Sequence, residues 1–383
     1  MSEYQYYEFV AVDRPLTSVQ QRELRALSTR ARITSSSFVN DYQWGDLKGD
    51  PREWMQRYFD AFLYLANWGT HRVALRLPVG VLDPATAAEY CVGESACSWA
   101  TRTHVILDLQ SEDEDGDEEY EGGGHLAAIL PARAELAVGD RRLLYLAWLL
   151  CVQNRELADG EPEPPVPPGL GELSGPQHAL VDFLRLDPEL LTVAAETSTP
   201  LKETVPSTAA LSRWVKALPE PEKNEVVVRL MRGDDAHLRS ELLARFRCAA
   251  PDERAGAGRT AGELLARAGE RWSRRQQLAR QREAAERERQ ERAVAAAREQ
   301  RLNALAGRQE QEWQRIAAMV ETKRPKEYDA AVVLLSDLKA LADRDGDSEA
   351  FRQRMRQLRE RHARKPSLLD RLDRAGLGAL GVS

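Results

Sequence analysis

The chain has 383 residues, of which 43% are apolar and 30% are charged, and this length predicts two or three domains with real cores and much exposed surface. No stretch approaches the roughly 20 apolar residues that a membrane helix requires. Four cysteines are too few for a disulfide framework. The first residues lack the basic and apolar regions of a signal peptide. We therefore predict a soluble cytoplasmic protein with no membrane partner.

The net charge of -7 conceals an uneven distribution along the chain. Residues 259–383 carry 28 Lys and Arg against 20 Asp and Glu, whereas residues 1–258 carry 26 against 41. A basic tail on an acidic body indicates either internal pairing or an anionic partner for the tail.

Residues 1–158 have the pattern of strands that alternate with helices. Residues 4–12 (YQYYEFVAV) and the alternating residues 71–77 are typical of strands. Thr17 and Gln20 form a capping box, and Asp50 before a proline marks a second helix, which we extend through residue 65 on the spacing of its apolar residues. This order predicts an α+β domain, a ferredoxin-like two-layer sandwich, with a disordered acidic loop at residues 111–124.

The remainder of the chain has the pattern of helices separated by linkers. Five prolines in residues 159–173 predict a semi-rigid linker, which is followed by a helical domain at 174–250 and a second linker at 251–258. A long charged helix at 259–323 is stabilised by Glu and Arg four residues apart, without tertiary contacts. A C-terminal helical hairpin at 324–383 completes the chain.

The oligomeric form of the long charged helix stays open at this point. A heptad seam through it would include Arg292 and Glu299, which disfavours a tight coiled coil. A single helix and a loose pair of helices both remain consistent with the pattern.

Several patterns approach known chemical sites without completing them. Residues 343–349 resemble the start of an EF-hand loop, but Arg354 occupies the position of the bidentate glutamate. Residues 93–97 (GESAC) approach a nucleophile elbow, with cysteine in place of the last glycine. The donors nearest to a zinc-like set lack zinc-site spacing: Cys91, Cys97, His104 and His125. We therefore expect no catalytic residue, no metal and no cofactor, and we favour a protein that is not an enzyme.

The aromatic residues are concentrated near the N-terminus, with 15 of 25 in the first hundred residues. Aromatic side chains on the sheet of an RNA-recognition domain stack on bases. A surface for phosphates should however be basic, and residues 1–110 hold 11 Lys and Arg against 13 Asp and Glu. Packing in a core is therefore the favoured interpretation.

Two parts of the sequence resemble bacterial proteins. Residues 328–377, which include YDAAVVLLSDLKALA and FRQRMRQLRERHARKPSLLDRLDRAGL, resemble a helical tail of bacterial proteins of unknown function, some of which have SWIM zinc fingers. The segments YYEFVAVDRPLT, NDYQWGDLKGDP and YLANWGTHR resemble the start of an uncharacterised bacterial family. The resemblance implies no catalytic residues, and the CxC and CxH zinc ligands of a SWIM finger are absent.

We favour an interaction or scaffolding protein that presents its C-terminal helical module to a protein partner. The alternative is a nucleic-acid-associated protein. Both use the same candidate contacts: Arg274, Arg275, Arg280, Arg282, Arg287, Arg289, Arg292, Arg359, Arg361, Arg364 and Lys365. A third hypothesis is an enzyme whose site lies in or beside N-terminal loops, around Trp44, Asp46, Lys48, Trp68 and His71. The sequence leaves the oligomeric state open.

Overall fold

A computed structural model describes residues 4–112, 123–201, 207–233, 237–248 and 258–378. The chain forms two compact units, Met1–Arg275 and Gln276–Ser383. The first contains a seven-stranded antiparallel sheet with short helices, and the second is helical. The predicted α+β class of the N-terminal region and the predicted helical C-terminal region are therefore confirmed.

The sheet has the strand order β2-β3-β1-β4-β5-β7-β6. The strands are β1 (Gln5–Val10), β2 (Arg32–Ile33), β3 (Ser37–Tyr42), β4 (Ala61–Ala66), β5 (Thr70–Pro78), β6 (Ala96–Ala100) and β7 (His104–Glu112). Every neighbouring pair is antiparallel. In a ferredoxin-like sandwich, the two parallel strands of each split β-α-β unit have an antiparallel strand between them, so neighbouring strands in that sheet are antiparallel too. The antiparallel pairing therefore agrees with this arrangement, and β5, β6 and β7 extend the sheet beyond its four strands, so the ferredoxin-like class stays a prediction.

Twelve helices begin in the described part of the first unit. They are α1 (Ser18–Leu27), α2 (Pro51–Arg57), α3 (Pro84–Tyr90), α4 (His125–Ile129), α5 (Pro131–Ala137), α6 (Arg142–Gln153), α7 (Gly175–Phe183), α8 (Pro188–Ala195), α9 (Thr208–Ala217), α10 (Glu220–Arg232), α11 (Leu238–Cys248) and α12 (Ala261–Leu305). The predicted capping box before α1 is present, with the Gln20 amide donating to the Thr17 hydroxyl. Asp50 likewise caps α2, as predicted.

The predicted second helix is too long, because α2 ends at Arg57 and only three residues separate it from β4. The apolar residues of β4 continue the helical spacing, which is why the sequence predicts a longer helix. β4 lies inside the sheet and is buried on both faces, so its sequence (AFLYLA) lacks the alternation of a half-exposed strand.

Apolar side chains cover both faces of the sheet. On one face, α1 and α2 pack over a mainly aromatic cluster that includes Phe9, Phe38 and Phe62. On the other face, β5 contributes Val73, Leu75 and Leu77 to a larger cluster that surrounds α6. The aromatic residues at the centre of the sheet are therefore core residues, in agreement with the favoured interpretation.

The proline-rich segment 159–173 lies within the first unit rather than between two units. Leu170 is buried in the same cluster as α6, and residues of α7 and α8 belong to that cluster too. The backbone of Pro162 also forms a bridge with Thr260. Most of the predicted acidic loop, residues 113–122, lies outside the described residues, as do residues 251–257 of the second predicted linker.

The second unit contains the end of α12 and four further helices, α13 (Gln309–Glu321), α14 (Pro325–Asp345), α15 (Ser348–Arg361) and α16 (Pro366–Arg374). The predicted single helix 259–323 is therefore two helices. Gly307 lies between them with a φ of 80°, a left-handed conformation that ends a helix readily. The four helices share one core, which includes Ile316, Leu335 and Leu368.

None of the described helices combines the length and the apolar character that a membrane crossing needs.

Candidate functional site

The candidate arginines of α12 lie on a highly exposed helix, since every residue from 269 to 301 is exposed. At 100° per residue, Arg282 and Arg289 lie roughly opposite Arg280 and Arg287, with glutamates between them. The helix therefore has no single basic face. Arg292 pairs with Glu288 one turn earlier, as expected for a helix stabilised by its own charges.

Two further candidate arginines are engaged within the protein. Arg275 lies 2.8 Å from the buried carboxylate of Glu189 on α8. Arg359 pairs with Asp373 at 2.8 Å. Each contact links α12 or α15 to a neighbouring helix of its own unit, so both arginines have a structural role. In contrast, Arg274, Arg280, Arg282, Arg287 and Arg289 are exposed and form no ion pair with a described residue.

The remaining three candidates, Arg361, Arg364 and Lys365, lie beside a second basic segment, residues 323–326. Lys365 contacts the end of α13, just before that segment: its Nζ donates to the carbonyl oxygen of Val320 at 2.8 Å and lies 3.5 Å from a Glu321 carboxylate oxygen. We call residues 323–326 together with residues 361–365 the basic end of the second unit.

The helix directions explain why these segments meet. Arg371 of α16 donates to Asp329 near the start of α14 at 2.6 Å, and Lys339 farther along α14 donates to the Gly376 carbonyl after α16 at 3.1 Å. The helices α14 and α16 therefore run in the same direction and begin at the same end. The helices α13 and α15 end there.

The cations of the basic end are exposed, with the exception of Lys365, which is half-buried. Lys323, Arg324, Lys326, Arg361 and Arg364 form no ion pair within the described part of the chain. Glu321, by contrast, is already engaged by Lys365. The basic end therefore offers several cations to a group outside the unit.

His362 lies buried within the basic end, with its Nδ1 4.0 Å from Glu321. Burial lowers the pKa of this histidine, and repulsion from Lys365 and Arg361 lowers it further, against the attraction of Glu321. The imidazole is therefore held towards its neutral form, and the positive charge of the surface belongs to the lysines and arginines.

Sequence reasoning missed the lysines and arginine of residues 323–326. The sequence alone places them at the junction of the predicted long helix and hairpin and indicates no function for them. The signal was present, because the run TKRPK places three cations around a proline that begins a helix. Only the fold shows that this run lies beside residues 361–365.

A second polar cluster lies on the sheet, where register places Tyr64 between Tyr7 and Arg72. The Tyr7 hydroxyl lies 2.7 Å from Asp46 Oδ1, and Arg72 forms two hydrogen bonds with Asp108, at 2.8 and 2.6 Å. Burial, with the nearby Asp46 carboxylate, raises the pKa of Tyr7, and burial raises that of Tyr64 to about 12. Both hydroxyls therefore remain protonated.

The structure does not assemble the predicted enzyme site. Asp46 faces this tyrosine cluster, but His71 is buried on the opposite face of the sheet, with its ring 5.3 Å from that of Phe183. Trp44 and Trp68 are largely exposed, and Lys48 is exposed in the loop before α2. These five residues thus do not share one site.

The elbow-like residues 93–97 have a structural role. Ser95 is buried, its hydroxyl donates to Glu156, and its backbone amide donates to the same carboxylate. A side chain at position 93 would overlap the Glu156 carboxylate, which explains the glycine there. Glu156 therefore closes this loop against the end of α6. Cys91, Cys97 and Cys151 are free thiols.

A cavity of about 380 Å³ lies between the β5–α3 loop, the end of α5 and α11. Apolar residues such as Val81 and Leu136 line it, and Arg245 contributes its charge. That guanidinium already pairs with Glu222 and lies 4.0 Å from Glu241. The Arg245 charge is thus neutralised by the protein itself, unlike the charges of the basic end.

Comparison with known proteins finds no match to a family model, to a curated protein or to a solved structure. The resemblances noted in the sequence therefore stay predictions, and functional inference rests on the geometry of the chain itself.

Proposed function

We propose that the protein is a non-enzymatic interaction protein whose second unit is the binding module for a protein partner. The observation that carries this proposal is the convergence of residues 323–326 and 361–365 into one exposed basic surface. A surface whose charges lack internal partners is available for a complementary partner, and it favours specificity and fast association.

The second unit is suited to this role because its surface is built on a packed scaffold. The helices α13 to α16 share a core, and the basic end is formed by their ends. Such a surface needs little ordering on binding, which reduces the entropic cost of association. The pair α14 and α15, joined through the left-handed Gly346, forms the helical hairpin of the module.

The alternative, binding of nucleic acid, is favoured by the exposed arginines of α12 such as Arg280, Arg282 and Arg287. These arginines are distributed around the helix and alternate with glutamates. A protein that binds a groove or a phosphate backbone has its cations on one face, so this distribution weakens the alternative. We therefore rank it second.

The test is recovery of partners from native cell extract by the full chain and by a chain that ends at Arg275, each with and without nuclease. The proposal predicts a protein that the full chain recovers, that the shortened chain loses, and that nuclease does not affect. Recovery of the same proteins by both chains would contradict a binding role for the second unit. Partners that disappear only after nuclease would move nucleic-acid binding to first place.

A further inference from the structure

We infer that the basic end binds an acidic polypeptide segment, in which several Asp or Glu residues follow one another. This inference rests on the proposed function, because the segment would belong to the protein partner. The inference adds to the proposed function by naming the chemistry of the bound segment and the residues that recognise it.

The number of available charges supports this inference. Residues 321–327 and 360–365 together contain six lysines and arginines but three glutamates, Glu321, Glu327 and Glu360. Lys365 engages Glu321, and Glu327 is half-buried in the first turn of α14. An added run of carboxylates would therefore meet five exposed cations that have no ion pair with a described residue.

The helix ends give a second, independent reason. The residues that precede α14 and α16 are Arg324 and Lys365, and neither caps its helix through a side-chain hydrogen bond. Asp, Ser or Thr usually accepts hydrogen bonds from the first amides of a helix. Each helix begins with proline, and the amide of its third residue already donates to a backbone carbonyl, so a carboxylate from a partner would accept from the amide of the second residue, Lys326 or Ser367. It would also interact favourably with the cations.

Carboxylates fit this surface better than nucleic acid does. Single strands are held largely by stacking of bases on exposed aromatic side chains. The three aromatic residues of the second unit are buried or half-buried, namely Trp313, Tyr328 and Phe351. Duplexes require an extended basic stripe. The only long exposed segment described in this unit, residues 276–301 of α12, interleaves arginine with glutamate.

The test is binding of a fluorescent peptide of ten glutamates to the full chain, measured by anisotropy at low and high salt. Two variants change the basic end, Arg361→Glu with Arg364→Glu, and Lys323→Glu with Lys326→Glu. A matched control, Arg280→Glu with Arg287→Glu, makes the same charge change on exposed residues of α12. Circular dichroism checks that all three variants remain folded.

We expect each basic-end variant to raise the Kd of the peptide by about tenfold or more, and the α12 control to raise it by less than about twofold. Binding that is unchanged in the basic-end variants, or weakened equally by the control, would overturn the inference. So would a 20-base-pair DNA duplex that binds more tightly than the peptide and is lost in the same variants.

The two proposals fail in different ways. If the cellular partner is lost from the chain that ends at Arg275 but is retained by both basic-end variants, the interaction role stands and the acidic segment is wrong. If the shortened chain retains the partner, the role of the second unit itself is wrong.

Discussion

Asp60 is fully buried between β4 and the turn that precedes it, and both of its carboxylate oxygens are used. Oδ1 accepts from Arg76 at 3.0 and 2.6 Å, and Oδ2 accepts from the amides of Val12 and Asp13 at 2.7 and 2.9 Å. One carboxylate thus neutralises a buried guanidinium and also fixes the chain that leaves β1.

Replacement of this carboxylate, Asp60→Ala, should destabilise the first unit by about 3–5 kcal/mol, because it leaves the Arg76 charge buried without a counter-ion. Urea unfolding followed by tryptophan fluorescence measures this loss. The control is Asp41→Ala, since Asp41 is exposed on β3 and should leave the midpoint unchanged. Equal midpoints for Asp60→Ala and the natural chain would show that this ion pair does not stabilise the fold.

His362 should make the second unit sensitive to pH. Its folded-state pKa lies below the ordinary value of 6.5, because burial and nearby cations disfavour the charged imidazole. The unfolded chain therefore binds a proton first, and stability should fall as the pH drops through about 6.5. Stability should not depend on this group at higher pH, where the imidazole is neutral in both states.

Hydrogen exchange of peptides from α13, α15 and α16 in the full chain, measured at pH 7.5 and 5.5 and corrected for the intrinsic rate, tests this dependence. Protection should fall at the lower pH in the natural chain and should fall less in His362→Asn, which cannot gain a proton. The same loss of protection in both chains would assign the pH dependence to other groups.

At the scale of elements, Arg259 fixes the start of α12 to the first unit. Its guanidinium forms two hydrogen bonds with the buried carboxylate of Glu163, at 2.8 and 2.6 Å, and others with carbonyls at the end of α8. The Tyr145 hydroxyl donates to the same carboxylate. A long helix is thus joined to the core through one buried ion pair.

The change Arg259→Ala should cost about 3–5 kcal/mol, because Glu163 would keep a buried charge with only a tyrosine hydroxyl to stabilise it. We also expect faster hydrogen exchange in residues 261–268, as the start of α12 loosens. The control Arg267→Ala removes a largely exposed pair with Glu196 and should leave both measurements nearly unchanged. If the two variants behaved alike, the buried pair would not be what holds this helix start.

Local sequence signals predicted the starts of elements better than their ends. Thr17 and Asp50 cap helices where expected, because a cap requires only a few adjacent residues. The end of α2 could not be predicted, since it depends on the burial of β4 within the sheet. Likewise, Gly307 ends α12, but glycine alone does not distinguish a break from a tolerated helical position.

At the scale of the whole molecule, sequence reasoning predicted the classes of structure but not which segments share a core. The prolines at 162–168 suggested a boundary, yet Leu170 and Leu180 are buried in the cluster that surrounds α6. Proline restricts the backbone, but it does not prevent the flanking residues from packing. The basic end was half predicted, because residues 361–365 were identified and the segment at 323–326 joins them only through the helix packing.

Each core cluster of the described residues falls within one of the two units, so the stability of each unit should depend on its own core. Leu335 of α14 is fully buried, and Leu335→Ala should destabilise the second unit by about 2–5 kcal/mol through lost apolar contact and the cavity left behind.

The complementary change is Leu75→Ala in β5, where Leu75 is 1% exposed. Hydrogen exchange of the full chain should show lost protection in α13 to α16 for the first variant and in the strands for the second. Loss of protection throughout the chain in both variants would show a single cooperative structure instead. In that case, a chain that ends at Arg275 would also lose the fold of its sheet, and its failure to bind a partner would no longer locate the binding surface in the second unit.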